Sequence, residues 1–340
     1  MKKRRLLAAL LAGAMALSLT ACGNTQDEPV SAGEDTAAEN TAGGQSYTVG
    51  ICQLMQHVAL DNATQGFQDK LTELMEADGN TVTFDLQNAS GDSVNCSTII
   101  NGFISAGDDL IMANGTAALQ AAQSGTTEIP VLGTSITDYA TARDMSDWTG
   151  KTGTNISGTT DLAPLDGQAE MLQEVFPDAK NVGLLYCSAE PNSAYQINVI
   201  KPILEEMGYT CTEYTFADSN DIASVTANAC TASDVIYIPT DNTAASCTET
   251  IRNVVVPAGV PVVASVEGIC EGCGVVTLCI DYYELGEMTA EMAYDILVGG
   301  QNPGDMEVRS VTNVAKMYNE SICQEMGITP PEGYEPIAGA

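Results

Sequence analysis

The sequence predicts an α/β protein built from two lobes, each a doubly wound parallel sheet. Three observations support this fold class. Short apolar strands alternate with amphipathic helices from Tyr47 onward, which is typical of a parallel sheet covered on both faces. Residues 47–340 are more than one such sheet usually holds. Finally, two segments of the first half recur in the second half.

The first strand and helix show the alternation most clearly. Tyr47–Leu54 is strand-like, and the next helix places apolar residues at spacings of three and four, namely Leu60, Ala63, Phe67, Leu71 and Leu74. Further strands are predicted at Val82–Leu86, Leu110–Ala113, Val131–Thr134, Val182–Tyr186, Cys211–Phe216, Val235–Ile238, Val262–Val266 and Val275–Ile280. The intervening lengths suit helices.

The recurring segments divide the chain. Asp109–Ile111 with Gly115–Ala118 is matched by Asp234–Ile236 with Asn242–Ala245, and Pro130–Ser135 is matched by Pro261–Val266. A period this long favours a duplicated α/β lobe over a solenoid. We assign 1–21 to a signal peptide, 22–46 to a lipid anchor and disordered tether, 47–160 with about 282–305 to the N-terminal lobe, 161–281 with about 306–328 to the C-terminal lobe, and 329–340 to a tail.

The N-terminus reads as an export signal. Lys2–Arg5 precede an apolar run, Leu6–Leu19, that is shorter than the roughly 20 residues of a transmembrane helix. Ala21, Cys22 and Gly23 resemble the lipobox of bacterial lipoproteins, in which the cysteine is acylated. Cys22 is therefore the predicted lipidation site, and an ordinary secretory signal is the alternative. Gly23–Ser46 has too little apolar content to fold and is predicted to be a tether.

Composition narrows the possible partners. The chain carries 12 Lys and Arg residues against 45 Asp and Glu residues, a formal net charge of −33. Nucleic acid is excluded as a partner because phosphate backbones require basic residues. Ten cysteines follow Cys22 in no compact framework, so we expect mainly buried thiols, with disulfides as the alternative. Cys270 and Cys273 lack the second pair that a zinc site requires, and we predict no metal.

The candidate ligand shell lies just after the strands. In parallel sheets, ligands bind beyond the carboxyl ends of the strands, and two facing sheets form a cleft. The predicted ligand residues are Gln53, His57, Asn114, Thr116, Ser135, Asp138, Ser188, Glu190, Asn192, Ser193, Asp241, Asn242, Glu267 and Asp281. Their carboxylates could bind an ammonium, and their hydroxyls could donate to a carboxylate.

The same residue types also cap helices and form turns, so each has a purely structural alternative. Glu190 is the strongest single candidate, because Asn192 or Ser193 would ordinarily cap the following helix. His57 has no partners for metal binding or catalysis and is interpreted as a pocket-wall or helix-start residue. Trp148 is predicted to pack at the surface or a lobe edge. Tyr139, Tyr195 and Tyr282 could flank an apolar ligand or belong to the core.

Five segments carry a family resemblance. They are Gln53 with His57 and Ala59–Asp61, Asn155–Thr159, Ser188 with Glu190 and Asn192–Ser193, Pro239–Thr243, and Asp281–Gly286. In this order, they resemble the ABC-transporter substrate-binding lipoproteins that include tryptophan- and tyrosine-binding proteins, with Val58 where a proline is usual. The resemblance covers residues from Tyr47 to about Gly327. It implies the type I periplasmic-binding-protein fold, no cofactor, and capture of an amino acid for a membrane permease.

Other functions remain open. A sugar or nucleoside could be the ligand, although such sites usually stack rings on tryptophan and the chain has one. The same fold could serve a membrane receptor as a sensor. An enzyme is disfavoured because the chain lacks a nucleophile elbow, a metalloprotease helix and a dinucleotide fingerprint. We therefore expect a monomeric, non-catalytic binding protein, held outside the cytoplasm on the membrane by lipid on Cys22.

Overall fold

The computed structural model describes residues 44–339, which belong to one compact unit containing two sheets. The predicted signal peptide, Cys22 and nearly all of the predicted tether lie outside the described residues. The strands are β1 Ser46–Gln53, β2 Thr81–Asn88, β3 Leu110–Asn114, β4 Val131–Ile136, β5 Ile156–Thr160, β6 Asn181–Cys187, β7 Thr210–Phe216, β8 Val235–Ile238, β9 Val262–Ala264, β10 Val276–Cys279, β11 Arg309–Ser310, β12 Ala315–Tyr318 and β13 Glu335–Pro336.

The helices cover both faces of the sheets. They are α1 Val58–Ala77, α2 Ser93–Ala106, α3 Thr116–Gly125, α4 Tyr139–Ala142, α5 Leu165–Val175, α6 Pro191–Glu206, α7 Ile222–Cys230, α8 Asn242–Ser246, α9 Thr248–Ala258, α10 Glu267–Cys273, α11 Tyr282–Leu297 and α12 Glu320–Met326. The first sheet has the order β11-β5-β4-β3-β1-β2, and the second has the order β13-β12-β10-β9-β8-β6-β7. The predicted α/β class with two parallel-sheet lobes is confirmed.

Local sequence explains the central elements. Every residue of β3 and β4 is buried, as expected for strands covered on both faces. In α1, the predicted stripe packs inward, with Leu60, Ala63, Phe67 and Leu71 buried. Leu74 is only half-buried, and Met75 takes the core position instead.

The structure changes the predicted lobe boundaries. β11 pairs with β5 in the first sheet, so the chain crosses to the second lobe after Ser310 and not near residue 306. β12 pairs antiparallel with β10, and β13 pairs with β12. The predicted tail therefore supplies an edge strand of the second sheet. These strands are too short to show a periodic pattern in the sequence.

Three crossovers join the lobes, between β5 and α5, between β10 and α11, and between β11 and β12. A buried hydrogen bond connects the first two, because the Tyr282 hydroxyl donates to the Asp161 carboxylate at 2.8 Å. Thr137 donates to the other oxygen of that carboxylate at 3.1 Å. Burial raises the pKa of Asp161, and these two hydrogen bonds oppose the shift. The three crossovers form the hinge between the lobes. The hydrogen bonds to Asp161 therefore give this hinge a buried polar network that joins two of the crossovers.

All ten cysteines among the described residues are free thiols, and seven of them are buried. Cys211, Cys230 and Cys247 are partly exposed. Between residues 44 and 339, no helix has the length and apolar character needed to cross a membrane.

Candidate functional site

The candidate site lies where the two lobes meet. The carboxyl ends of the parallel strands in both sheets point toward this boundary, so the loops that follow them face one another. Side chains of the two lobes make direct contact there. His57 at the start of α1 lies 3.1 Å from Asn242 at the start of α8, measured from Nε2 to Oδ1. The lobes are therefore closed on each other.

Three cavities lie along this boundary. The α1-side cavity, of about 430 Å³, is lined by His57 and Val58 together with Arg252 and Glu271. The hinge cavity, also about 430 Å³, is lined by Val58, Glu267, Cys279, Asp281 and Met317, among others. The outer cavity, about 410 Å³, is lined by Met55, Ser93, Glu190, Asp218 and Thr243, among others. Each volume is in the range of small-molecule sites.

Two predicted residues of the first lobe carry buried atoms without a protein partner. Asn114 ends β3 and donates to the Leu60 carbonyl and the Thr64 hydroxyl, but its Oδ1 accepts no hydrogen bond. Ser135 lies near the end of β4 in a left-handed conformation, φ 56°, and its hydroxyl is also unpaired. Buried polar atoms are ordinarily satisfied, so both are candidates for ligand contact.

The other candidate residues of the first lobe either form hydrogen bonds within that lobe or lie at the start of a helix. Gln53 donates to Asp61 and to the Met55 carbonyl, and it accepts from Thr64, which fixes the first turn of α1. Thr116 is buried at the first position of α3. Asp138 caps α4 by accepting from the Thr141 amide.

Asp138 and Tyr195 are close across the lobes. Tyr195 of α6 is half-buried, and its pKa is raised by burial and then by the Asp138 carboxylate. Of the aromatic residues considered from the sequence, Tyr139 is buried with its hydroxyl on the Gly133 carbonyl, and Trp148 stacks on its ring at 6.0 Å. Tyr282 donates to Asp161 and lines the hinge cavity, whereas Tyr195 lies near Asp138 of the other lobe.

Glu190 is fully engaged within the second lobe. One carboxylate oxygen accepts from the backbone amide and the side chain of Asn242, at 3.0 and 2.8 Å. The other accepts from the backbone amide and hydroxyl of Thr243, both at 2.8 Å. Asn192 donates as well, at 3.1 Å. The structure thus supplies a role that sequence reasoning did not find: Glu190 caps α8, which begins 52 residues later in the chain.

The neighbouring predicted residues extend this network. Asn192 also donates to the Thr240 carbonyl, and Ser193 is fully buried. Asp241, only 1% exposed, accepts from the backbone amides of Cys187 and Ala244 at 2.6 and 2.8 Å. Burial and then the Glu190 charge raise the pKa of Asp241, and its hydrogen bonds oppose that shift. Ser188 is exposed and donates to the Phe216 carbonyl.

The remaining two candidates lie together at the hinge cavity. Asp281 caps α11 by accepting from the amides of Tyr283 and Glu284. Glu267 begins α10, and its pKa is raised by burial and by the carboxylates of Glu271 and Asp281. Within residues 44–339, no group of His, Cys, Asp and Glu side chains has the arrangement of a metal site.

Sequence reasoning missed two buried glutamines whose hydrogen bonds lie within the second lobe. Gln196 of α6 donates to the Thr240 carbonyl and accepts from the Thr240 amide. Gln168 donates to the Ser265 and Leu278 carbonyls and accepts from Tyr237 at 2.6 Å. The sequence pattern could have indicated both glutamines. Each lies on the apolar face of an amphipathic helix, where an apolar core residue is expected.

Two α/β lobes, joined by three crossovers and closed over strand-end loops, define the class of two-lobed solute-binding proteins with the type I periplasmic-binding-protein fold. The sequence profile of the family described as ABC transporter substrate binding protein matches residues 48–337. The chain belongs to this family, and the predicted resemblance is confirmed.

Similar proteins are known from several bacteria. A tyrosine-binding protein of Clostridioides difficile (strain R20291) is 30% identical over 322 residues, covering 94% of this chain and 91% of the relative. A crystal structure from Streptococcus pneumonia, an ABC domain in complex with L-Trp, is 31% identical, with a TM-score of 0.79 and coverage of 85% and 100%. The ligand-free, open structure of a substrate-binding protein with adhesive properties from Clostridium difficile is also 31% identical, with a TM-score of 0.65 and coverage of 86% and 99%.

The two TM-scores differ although the sequence identities are equal. The lobe arrangement in this chain is closer to that of the tryptophan complex than to that of the open, ligand-free structure. This agrees with the direct contact between His57 and Asn242. The chain is an ABC transporter substrate-binding protein, and its structure has the lobes closed.

Proposed function

We propose that the protein captures an aromatic L-amino acid between its lobes and delivers it to the permease of an ABC uptake transporter. The unpaired Asn114 Oδ1 and Ser135 Oγ carry this proposal, because they supply an acceptor and a donor near the carboxyl ends of adjacent strands. An amino-acid zwitterion needs an acceptor for its ammonium and a donor for its carboxylate. The tyrosine and tryptophan bound by relatives about 30% identical to this chain support the aromatic class.

Capture requires no chemical step. A ligand that contacts both lobes stabilises the closed state by its higher affinity for that state, and the closed form is the one that a permease recognises. Cavities of about 410 to 430 Å³ between the lobes are large enough for a single amino acid, and Asn114 and Ser135 lie outside the linings of all three. With 45 acidic residues against 12 basic ones, the chain offers few cations for a multiply charged anion.

A thermal-shift panel tests the ligand class. Purified protein lacking residues 1–22 is heated with L-tryptophan, L-tyrosine, L-phenylalanine, L-leucine, glucose and adenosine, each at a hundred times its dissociation constant or at its solubility limit. A bound ligand at that concentration adds about 2.7 kcal/mol, which raises the midpoint by about 5 to 10 °C for a chain of this size. We expect the aromatic amino acids to produce this shift.

A variant pair connects the shift to the site. Ser135→Ala removes the unpaired buried hydroxyl and should reduce affinity at least tenfold. Ser97→Ala removes an exposed hydroxyl that bonds within α2 and should leave affinity unchanged. A shift with glucose or adenosine alone would replace the amino-acid proposal by the sugar or nucleoside alternative. Equal affinity of Ser135→Ala and the unmodified protein would remove Ser135 from the site.

We also propose that lipid on Cys22 holds the protein outside the cytoplasm beside its permease. The basic residues, the short apolar run and the lipobox-like Ala21–Gly23 support this proposal. A polar tether would let the lobes move freely while keeping their effective concentration at the membrane high.

The anchor has its own test. Cys22→Ser should leave amino-acid affinity unchanged, because position 22 precedes the folded lobes. The variant should release the protein from the membrane and reduce uptake of radiolabelled ligand by cells about tenfold or more. The two measurements are membrane fractionation and initial uptake rate. Uptake at the unmodified rate by the released protein would contradict the proposed reason for the anchor.

A further inference from the structure

We propose that His57 is a latch that holds the lobes closed by donating a hydrogen bond from Nε2 to the side-chain oxygen of Asn242. The proposal rests on the proposed function, in which closure is the step that captures a ligand. His57 precedes α1 in the first lobe, and Asn242 begins α8 in the second, 185 residues away. The two atoms are 3.1 Å apart.

The second lobe holds Asn242 ready to accept this bond. Its Nδ2 donates to Glu190 at 2.8 Å, and its backbone amide donates to the same carboxylate oxygen at 3.0 Å. The nitrogen end of the amide is therefore occupied, and the oxygen end faces His57. Asn242 Oδ1 is an acceptor only, so Nε2 must carry the proton. Glu190, Asn242 and Thr243 all belong to the second lobe, so the receiving group survives when the lobes separate.

The first lobe leaves the His57 ring free for this contact. His57 occupies the residue before α1, but its side chain makes no capping hydrogen bond to that helix. Its backbone carbonyl accepts from the Asp61 amide at 3.0 Å, which attaches the residue firmly to the helix start. The ring is the part of His57 that reaches the other lobe. The latch would therefore break on opening without disturbing either lobe.

Closure also changes the environment of the ring. Burial lowers the pKa of His57, while the hydrogen bond to Asn242 and the charges of Glu190 and Asp61 oppose that shift. Arg252 of α9 and Glu271 of α10 line the same α1-side cavity. In the open state, the ring is solvated and has an ordinary pKa of about 6.5. The closed state thus binds the proton less tightly, so closure is favoured above about pH 6.5 and weakened as pH falls below it.

Three variants separate the latch from other effects. His57→Ala removes the donor and should weaken L-tryptophan or L-tyrosine binding about three- to tenfold at pH 7.5. His57→Gln keeps an N–H donor and should bind within about twofold of the unmodified protein. Gln65→Ala, an exposed position on α1 bonded only to Asp69 of the same helix, is the matched control and should change nothing.

The pH profile distinguishes a latch from a structural role. Affinity is measured by calorimetry between about pH 5.5 and 8 for all four proteins. The other carboxylates at the boundary contribute equally to each protein, so the contribution of His57 is the difference between profiles. Below about pH 6.5, the unmodified protein and Gln65→Ala should lose affinity more steeply than either His57 variant. Parallel profiles, or equal affinity of His57→Ala and the unmodified protein, would overturn the proposal.

His57 is the single histidine of the chain, so protein without a histidine tag shows one imidazole signal in NMR spectra. The pKa read from that signal should fall when ligand is added. A pKa unchanged by a ligand that does bind would overturn the latch. If no ligand in the panel binds, the proposed function fails, and small-angle scattering of the ligand-free proteins decides the latch separately. A larger radius of gyration for His57→Ala than for His57→Gln supports it, and identical values reject it.

Discussion

Replacing Glu190 by alanine is expected to lower the free energy of unfolding by about 3 kcal/mol. The carboxylate accepts hydrogen bonds from two backbone amides and three side-chain groups, and its loss leaves the Asn242 and Thr243 amides at the start of α8 without their acceptor, while Asp241 still caps the Ala244 amide. Hydrogen bonds to a charged group contribute about 1.5 to 3 kcal/mol each, and their sum is reduced because the side chain is half-exposed and the bonds share one group. Urea unfolding followed by circular dichroism measures the change.

Glu206→Ala provides the control for this experiment. Glu206 is an exposed carboxylate at the last position of α6, the helix that Glu190 precedes. We expect its replacement to change the free energy of unfolding by less than about 0.5 kcal/mol. If Glu190→Ala keeps the unmodified stability but no longer responds to amino acids, then Glu190 contacts the ligand, as the sequence suggested. Loss of stability with retained affinity in the surviving folded protein would assign it to α8 capping alone.

Gly286→Ala is expected to lower the free energy of unfolding by about 3 kcal/mol as well. A Cβ at this position of α11 would lie 2.1 Å from the Ala63 carbonyl oxygen and 2.8 Å from the Phe67 amide nitrogen, both backbone atoms of α1. Gly66 on α1 faces α11 in the same way, with its Cβ position 2.2 Å from the Tyr283 carbonyl oxygen. The two helices are packed too closely to accept a methyl group, so they must move apart.

Gly102→Ala is the matched control, and its expected change has the opposite sign. Gly102 lies inside α2 on an exposed face, and a Cβ there would have no atom within 4 Å. Alanine is the better helix former, so this variant should gain about 0.5 to 1 kcal/mol. Thermal and urea unfolding of both variants give the comparison. Equal stability of Gly286→Ala and the unmodified protein would mean that α1 and α11 are not held at this distance in solution.

The α1–α11 contact also bears on function. α11 follows the second crossover and returns the chain to the first lobe, and Tyr282 at its first position is bonded to Asp161 in the first crossover. A helix fixed this closely to α1 keeps that crossover in place while the second lobe moves. The hinge is therefore anchored on the first lobe, and closure brings α8 toward the start of α1.

The sequence alone was sufficient to predict the fold class and the family. Alternating apolar strands and amphipathic helices are local patterns, and Phe67 and Leu71 are buried because their spacing places them on one face of α1. The positions after the strands were also predictable, since parallel strands bring their carboxyl ends to one edge. Asn114 and Ser135 were found in this way, and their exceptional feature, an unpaired buried oxygen, became visible only in the structure.

The tertiary structure determines which hydrogen-bond partner each of these polar groups has. From the sequence, Glu190 had no local partner, because its five donors are brought to it by folding, most of them from residues 52 and 53 positions later. His57 could be assigned only to a pocket wall or a helix start, because Asn242 is 185 residues away and on the other lobe. The fold and the family of the chain follow from short-range patterns. The cap on α8, the hinge bond and the contact between lobes depend on distances that only packing sets.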